Sequence, residues 1–312
     1  MSASETLRLA ELAVLVGDQL GASEAPATRA RAWAELGNAR RIVSDLAGAE
    51  DALGKAERLL AEQGGDPLLR AELLSLRGSL TEYERRFPAA IRFLERAIRL
   101  YALCGDDQGR AGVLIQLGLV HAVRGCPAEG RLPVIAAFKI AHAVEDTQLK
   151  LIAAQNLIYL TAECGDAHAA TFLIREARPL FELAAPRLDQ LRFNWLAARV
   201  DADLGFYGAA SRKLAYLRRY YGEEGLPYEV ALVSLDLAGI YARQERRQDL
   251  KELVGETAEL FRDLGIGRET LAALTLLAQA HQAEALALIR HLTSEVEGAR
   301  RAARHPSAAP GA

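Results

Sequence analysis

The chain has 312 residues, 51% of them hydrophobic and 25% charged, which is enough apolar surface for a large core. Its 38 basic and 41 acidic side chains are interspersed and leave a formal charge of −3, so charge gives no reason to expect a nucleic-acid or anionic-membrane partner. Three cysteines at unrelated spacings, Cys104, Cys126 and Cys164, offer neither a disulfide framework nor a C-x-x-C pair and fit a reduced cytoplasmic setting.

In chain order, residues Ser4 to Leu20 are predicted as one amphipathic helix carrying Leu7, Leu12, Val14, Leu15 and Leu20. Residues 1–22 are therefore expected to form an N-terminal capping helix, or the second helix of a repeat whose first half lies outside the chain. The N-terminus lacks the basic-then-apolar order of a secretory signal, and the longest nearly uncharged apolar run, Ala111 to Val123, is too short to span a membrane. From residue 23 to residue 304 the chain repeats itself. Gly225-Leu226-Pro227-Tyr228-Glu229 recurs forty residues on as Gly265-Ile266-Gly267-Arg268-Glu269, and steps of forty backwards reach Ala185-Pro186, Gly105-Asp106 and Gly65-Asp66. Self-similarity at this interval is the mark of a solenoid, in which each repeat completes its core on its neighbours.

Each repeat is helical twice. Leu232, Leu235, Leu237, Ile240 and Tyr241 recur at three-and-four spacing, and after Gln244-Glu245-Arg246-Arg247 so do Leu250, Leu253, Val254 and Phe261. Columns keep their character: Tyr101, Ala141, Phe181, Tyr221, Phe261; then Leu94, Val134, Ile174, Leu214, Val254; then a mostly small one, Gly78, Gly118, Ile158, Ala198, Ala238, Ala278. Seven hairpins are predicted, with first helices near 27–45, 67–84, 107–124, 146–164, 186–204, 227–244 and 268–282. Asp66-Pro67 supplies an N-cap and a first-turn proline, Gly165-Asp166 a helix stop and restart, and Pro88 and Pro127 open second helices. Pro179 falls late in a predicted helix and should kink it. Glu284 to Arg304 is a long final helix, and residues 305–312 are disordered by composition.

Trp33-Ala34-Glu35-Leu36-Gly37, followed by Ala49, Leu53 and Ala56, resembles the tetratricopeptide repeat, with Arg40 at the place of the family's tyrosine. Leu114, Leu117, Gly118 and His121 with Val134 and Ala137, and Leu237, Ala238 and Tyr241 with Val254, repeat the pattern. The repeat is longer than the usual 34 residues, so both helices must be lengthened. The resemblance implies an all-α, right-handed superhelical solenoid whose first helices line a concave groove. That carry-over selects Arg31, Asn38, Arg41, Ser75, Ser79, Glu82 and Tyr83, then Gln155, Tyr159 and Glu163, then Arg192, Trp195, Arg199, Asp203 and Arg243. Arg192, Trp195, Arg199 and Asp203 make a stripe separate from the apolar one. A step of one repeat sets Tyr159 beside Arg199 and Gln155 beside an exposed Trp195, a composition suited to an apolar side chain with a nearby carboxylate. Asn38 sits where chaperone-tail-binding members carry a groove asparagine, but Ala34 replaces the lysine expected one turn before.

No catalytic, metal or cofactor site is expected. His121 and His281 share the column of Tyr241 and fill packing sites; His142, His168, His291 and His305 have no partner at ligand spacing; and no phosphate-binding glycine loop occurs. The clusters Arg212-Lys213, Arg218-Arg219 and Arg246-Arg247 are interspersed with Glu223, Glu224, Asp249 and Glu252, as on a solvated face. The expected function is a non-enzymatic scaffold capturing a protein or peptide segment. The competing expectation is the sensor arm of a bacterial signalling or transcription-control system that responds to a peptide or small ligand.

Overall fold

The computed structural model describes residues 3–19, 26–61, 66–264 and 282–304. They form fourteen α-helices in sequential antiparallel pairs, and no strand occurs among the described residues. The chain divides into two compact units, residues 1–166 with 304–312 and residues 167–303, and each is described by itself. The forty-residue period continues across the boundary at residue 166 without a change of step.

The first unit holds α1 (Ala3–Gln19), α2 (Pro26–Ile42), α3 (Leu46–Ala61), α4 (Pro67–Tyr83), α5 (Phe87–Cys104), α6 (Asp107–Val123), α7 (Pro127–Ala143) and α8 (Thr147–Glu163). The second holds α9 (Ala167–Ala184), α10 (Arg187–Asp203), α11 (Tyr207–Glu223), α12 (Pro227–Arg243), α13 (Arg247–Asp263) and α14 (Gln282–Arg304). Six of the seven expected first helices are therefore α2, α4, α6, α8, α10 and α12. The seventh expected first helix up to residue 281, His281 included, and the 305–312 tail lie outside the described residues, while the expected final helix is α14.

Turn chemistry sets the period. Asp66, Asp106 and Asp146, forty apart, each accept a backbone N–H of the helix they open, at 2.9, 2.8 and 2.9 Å. The turn from first to second helix needs a left-handed residue at positions again forty apart: Arg85 (φ 60°), Gly125 (88°), Gly165 (78°), Gly205 (81°) and Glu245 (57°). The N–H one residue later then reaches back to the helix, as in Arg86 N to Thr81 O (2.8 Å) and Cys126 N to His121 O (2.8 Å). Arginine and glutamate accept the left-handed geometry because these bonds over-determine the turn.

The columns read from the sequence are the core. Tyr101, Ala141, Phe181, Tyr221 and Phe261 are all buried, as are Leu94, Val134, Ile174, Leu214 and Val254. Small residues mark where paired helices touch: a Cβ on Gly78 would fall 2.5 Å from Leu94 Cδ2, and one on Gly118 would fall 2.8 Å from the carbonyl oxygen of Gly130. Ala49, Ala90, Ala170 and Ala210 are wholly buried in the matching column of the second helices, where α7 has Gly130. Thr81, Thr161 and Thr257 are buried and satisfy their hydroxyls on carbonyls of their own helices. Arg77 crosses from α4 to α3, where Glu57 and Glu50 receive its guanidinium. In the second unit the buried Glu229 of α12 pairs with Arg300 of α14, which fastens the last helix.

One local expectation changes. Helix α1 buries Ala10 and Val14 on α2, while Leu12 and Leu15, placed on its apolar face by periodicity, are 55% and 63% exposed together with Leu9 and Val16. A single neighbour covers one narrow stripe, and α1 is apolar over more than that. Prolines lie inside two helices: α9 runs through Pro179 and α7 through Pro133.

Candidate functional site

The first helix α10 packs on its hairpin partner α11 and on α12 of the next hairpin, and so buries more than one stripe. In α10 this buries Leu191, Phe193, Leu196, Ala197, Ala198 and Val200, and leaves Arg192, Trp195, Arg199 and Asp203 on the remaining side. The expected stripe exists, with one correction. Trp195 is half-buried rather than exposed: it packs against the core of the second unit, with its ring 6.2 Å from that of Tyr221. Burial of Tyr221 pushes its phenol up to about 12.

The indole N–H of Trp195 is the key polar contact of this stripe. It donates to Asp236 Oδ2 of α12 at 2.5 Å, which fixes the ring and presents its remaining surface beside arginines. Arg192 pairs with Asp189 at 3.0 Å, and Arg243 lies 3.8 Å from Asp203. Burial raises the pKa of Asp236 above the ordinary carboxylate value, opposed by the charges of Arg199 and Arg243 and by the Trp195 hydrogen bond.

In the first unit the same side of α2, α4 and α6 is laced with polar contacts. Arg31 of α2 reaches Glu72 of α4 at 3.2 Å; Ser75 of α4 donates to Gln116 Oε1 of α6 at 3.0 Å, and Gln116 Nε2 donates to Ser79 at 2.5 Å. Arg41 donates to Asn38 at 2.8 Å, and burial lowers its pKa. Tyr83 shares a 2.9 Å hydrogen bond with Ser44, so its hydroxyl is tied to the turn of the preceding hairpin. Gln155 and Tyr159 are half-buried on α8. They belong to the first unit, Trp195 and Arg199 to the second, and each set is described within its own unit.

Sequence reasoning missed Glu72, Gln116 and Asp236, which complete these contacts. A signal was present. Arg31 to Glu72, Ser75 to Gln116 and Trp195 to Asp236 are all separated by 41 residues, one more than the repeat. Adjacent first helices are thus bonded rung to rung, and the polar side chains that line them also hold them together.

Elsewhere the polar residues have local partners. His121 Nδ1 lies 3.1 Å from Glu129, joining α6 to α7, and burial lowers its pKa. The basic clusters pair with acids: Lys213 with Asp201 (2.6 Å), Arg218 with Glu256 (2.7 Å) and Arg246 with Asp249 (2.9 Å). Among the described residues no group of three or more His, Cys, Asp or Glu side chains is placed to hold a metal ion, and no helix is long and apolar enough to cross a membrane.

No family model matches the chain, and no curated protein does. Solved structures match its fold. Aspartyl phosphate phosphatase F from Bacillus subtilis is 12% identical with a TM-score of 0.65, over 96% of this chain and 77% of that one. A Rap protein complexed with competence and sporulation factor is 15% identical with a TM-score of 0.58, over 89% and 76%. A signal transduction ATPase with a tetratricopeptide repeat sensor from Pyrococcus horikoshii is 14% identical with a TM-score of 0.63, over 82% of this chain but 40% of that one. At these identities the likeness concerns architecture: the chain has the all-α fold of tetratricopeptide-like repeat proteins.

Proposed function

We propose that the protein is a non-enzymatic scaffold that captures a protein or peptide segment on the groove-facing side of its first helices. The observation that carries this reading is the Trp195–Asp236 pair. A half-buried indole is held by a carboxylate whose ionised form burial disfavours, and the arginines beside it, Arg192 and Arg199, keep part of their surface in solvent. Cores gain nothing from such a carboxylate, whereas binding surfaces use aromatic rings with arginines as anchors. An apolar side chain would cover the free indole surface, and a carboxylate would meet Arg192 or Arg199. A neighbouring fold, the Rap conjugation gene regulator of the plasmid pLS20, solved in complex with the Phr* peptide, supports a peptide partner.

The second reading is a sensor arm within a signalling system, favoured by the neighbour whose tetratricopeptide repeats are described as a sensor. Both readings use the same groove residues and differ in the response that capture triggers.

The test uses peptides selected from a displayed random library against the full-length chain. A Trp33→Phe variant leaves Trp195 as the sole fluorescent reporter, since the sequence has two tryptophans. Arg192→Ala should weaken binding by about 2 kcal/mol, roughly thirtyfold in Kd, with the unfolding curve unchanged; Arg199→Ala should weaken it by a similar factor and also lower stability near neutral pH, because Arg199 offsets the burial of Asp236. Peptides that bind both variants at full affinity and leave Trp195 emission unmoved would refute the reading.

A further inference from the structure

Between α11 and α13, over α12, the second unit has an open cleft of about 480 Å3. Its floor is formed by Val230, Leu237 and Tyr241, about a third of a turn around α12 from Asp236, so it is separate from the groove stripe. Two features show that the sequence keeps it open. Gly222 of α11 lines the cleft in helical conformation without a positive φ, and a Cβ placed on it would meet nothing within 4 Å. Neither backbone geometry nor close packing requires glycine there, and the same column in other second helices holds Ala102, His142, Glu182 and Arg262. One level along, Ala215 stands where α5, α7 and α9 have Glu95, Ile135 and Arg175.

The charges in the cleft decide what fits. Arg218 is already engaged, donating to Ser234 at 2.9 Å and to Glu256 at 2.7 Å across the cleft. Arg219 is 71% exposed and leans toward Glu223 at 4.0 Å. On the other wall Glu252 accepts from the neutral amide of Gln248 at 2.7 Å and has no cationic partner within ion-pair distance among the described residues. The cleft thus combines an apolar floor with three carboxylates against two arginines, and of the carboxylates the exposed Glu252 is the one without an ion pair among the described residues. Val230 to Tyr241 spans twelve residues of α12, eleven steps or about 16 Å of helix. The volume falls in the range of small-molecule sites, and a floor of that length is less than a stable protein partner covers.

We propose that this cleft binds a small amphiphilic organic cation, with its ammonium at Glu252 and its apolar tail along Leu237 and Val230 toward Gly222. The site stands apart from the groove, and its test is independent of the peptide reading. Calorimetry on the full-length chain would compare n-octylammonium with n-octanesulfonate, which has the same tail and the opposite charge. The ammonium should bind and the sulfonate should not, and Glu252→Gln should weaken the ammonium by about tenfold or more. Gly222→Leu should remove binding by filling the cleft while leaving the unfolding midpoint undiminished, because leucine is the better helix former. Arg192→Ala, in the groove stripe, should leave it unchanged. The proposal is overturned if the ammonium does not bind, if the sulfonate binds equally well, or if Gly222→Leu keeps wild-type affinity.

Discussion

Gly130→Ala and Gly222→Ala make the same chemical change in two helices of this protein and should have opposite effects on stability. In an exposed helix interior, glycine to alanine stabilises by about 0.8–1 kcal/mol, because glycine loses more backbone freedom on folding. At Gly222, in the last turn of α11, a part of that gain should appear, since the new methyl group meets nothing within 4 Å. At Gly130 the new Cβ would stand 3.1 Å from the carbonyl carbon of Gly118 and 3.3 Å from its Cα, with the carbonyl oxygen closer still. All three are backbone atoms of α6 and cannot rotate away, so α6 and α7 must separate. Overpacking costs about 1–3 kcal/mol, here at the upper end because a whole helix moves, which leaves a net loss of roughly 1–2 kcal/mol after the propensity gain. Urea unfolding followed by far-ultraviolet circular dichroism would measure both variants against the parent. If Gly130→Ala is neutral or stabilising, the backbone contact between α6 and α7 is wrong, and with it the reason this column is small.

Ala90, wholly buried where α5 meets α4, should show the same intolerance: Ala90→Leu is expected to cost about 1–3 kcal/mol, read as a lower urea midpoint. Asp236 should make the folded state less stable as pH rises. Its folded pKa lies above the unfolded value, so its contribution is whole in acid and is lost as pH climbs from the unfolded through the raised folded value. Asp236→Asn keeps an acceptor for Trp195 and should therefore gain on the parent across that window, in melting curves recorded from pH 3 to pH 8; a gap that is flat with pH would refute this. Arg300→Ala removes the ion-pair partner that α14 gives the buried Glu229 carboxylate and should cost roughly 3 kcal/mol, while replacing both residues by methionine should recover most of that loss.

How far the sequence could be read depends on the range over which each feature is determined. The forty-residue period, six first-helix positions, the aspartate caps and the buried columns were legible because each is set by neighbours within one hairpin or by identical packing one repeat on. Asp66 caps α4 and Leu94 meets Gly78 through contacts that the local pattern already implies. The polar stripe of α10 was legible for the same reason: residues that are not core by periodicity must lie on another face.

What the stripe does with its polar groups depended on the tertiary structure. The bonding of Trp195 to Asp236, and of Ser75 to Gln116, depends on how one first helix is set against the next, and periodicity within a helix carries no such information. The same is true of α1, whose pattern is apolar over a wider arc than its one neighbour covers, so that Leu12 and Leu15 remain in solvent. It is true as well of the cleft beside Gly222, which exists because two second helices leave a first helix uncovered. The sequence by itself determined which residues repeat and which of them are core, because those follow from short-range helix geometry. The tertiary structure decided which polar groups meet and where apolar surface stays open, because both depend on distances between helices that the repeat interval does not encode.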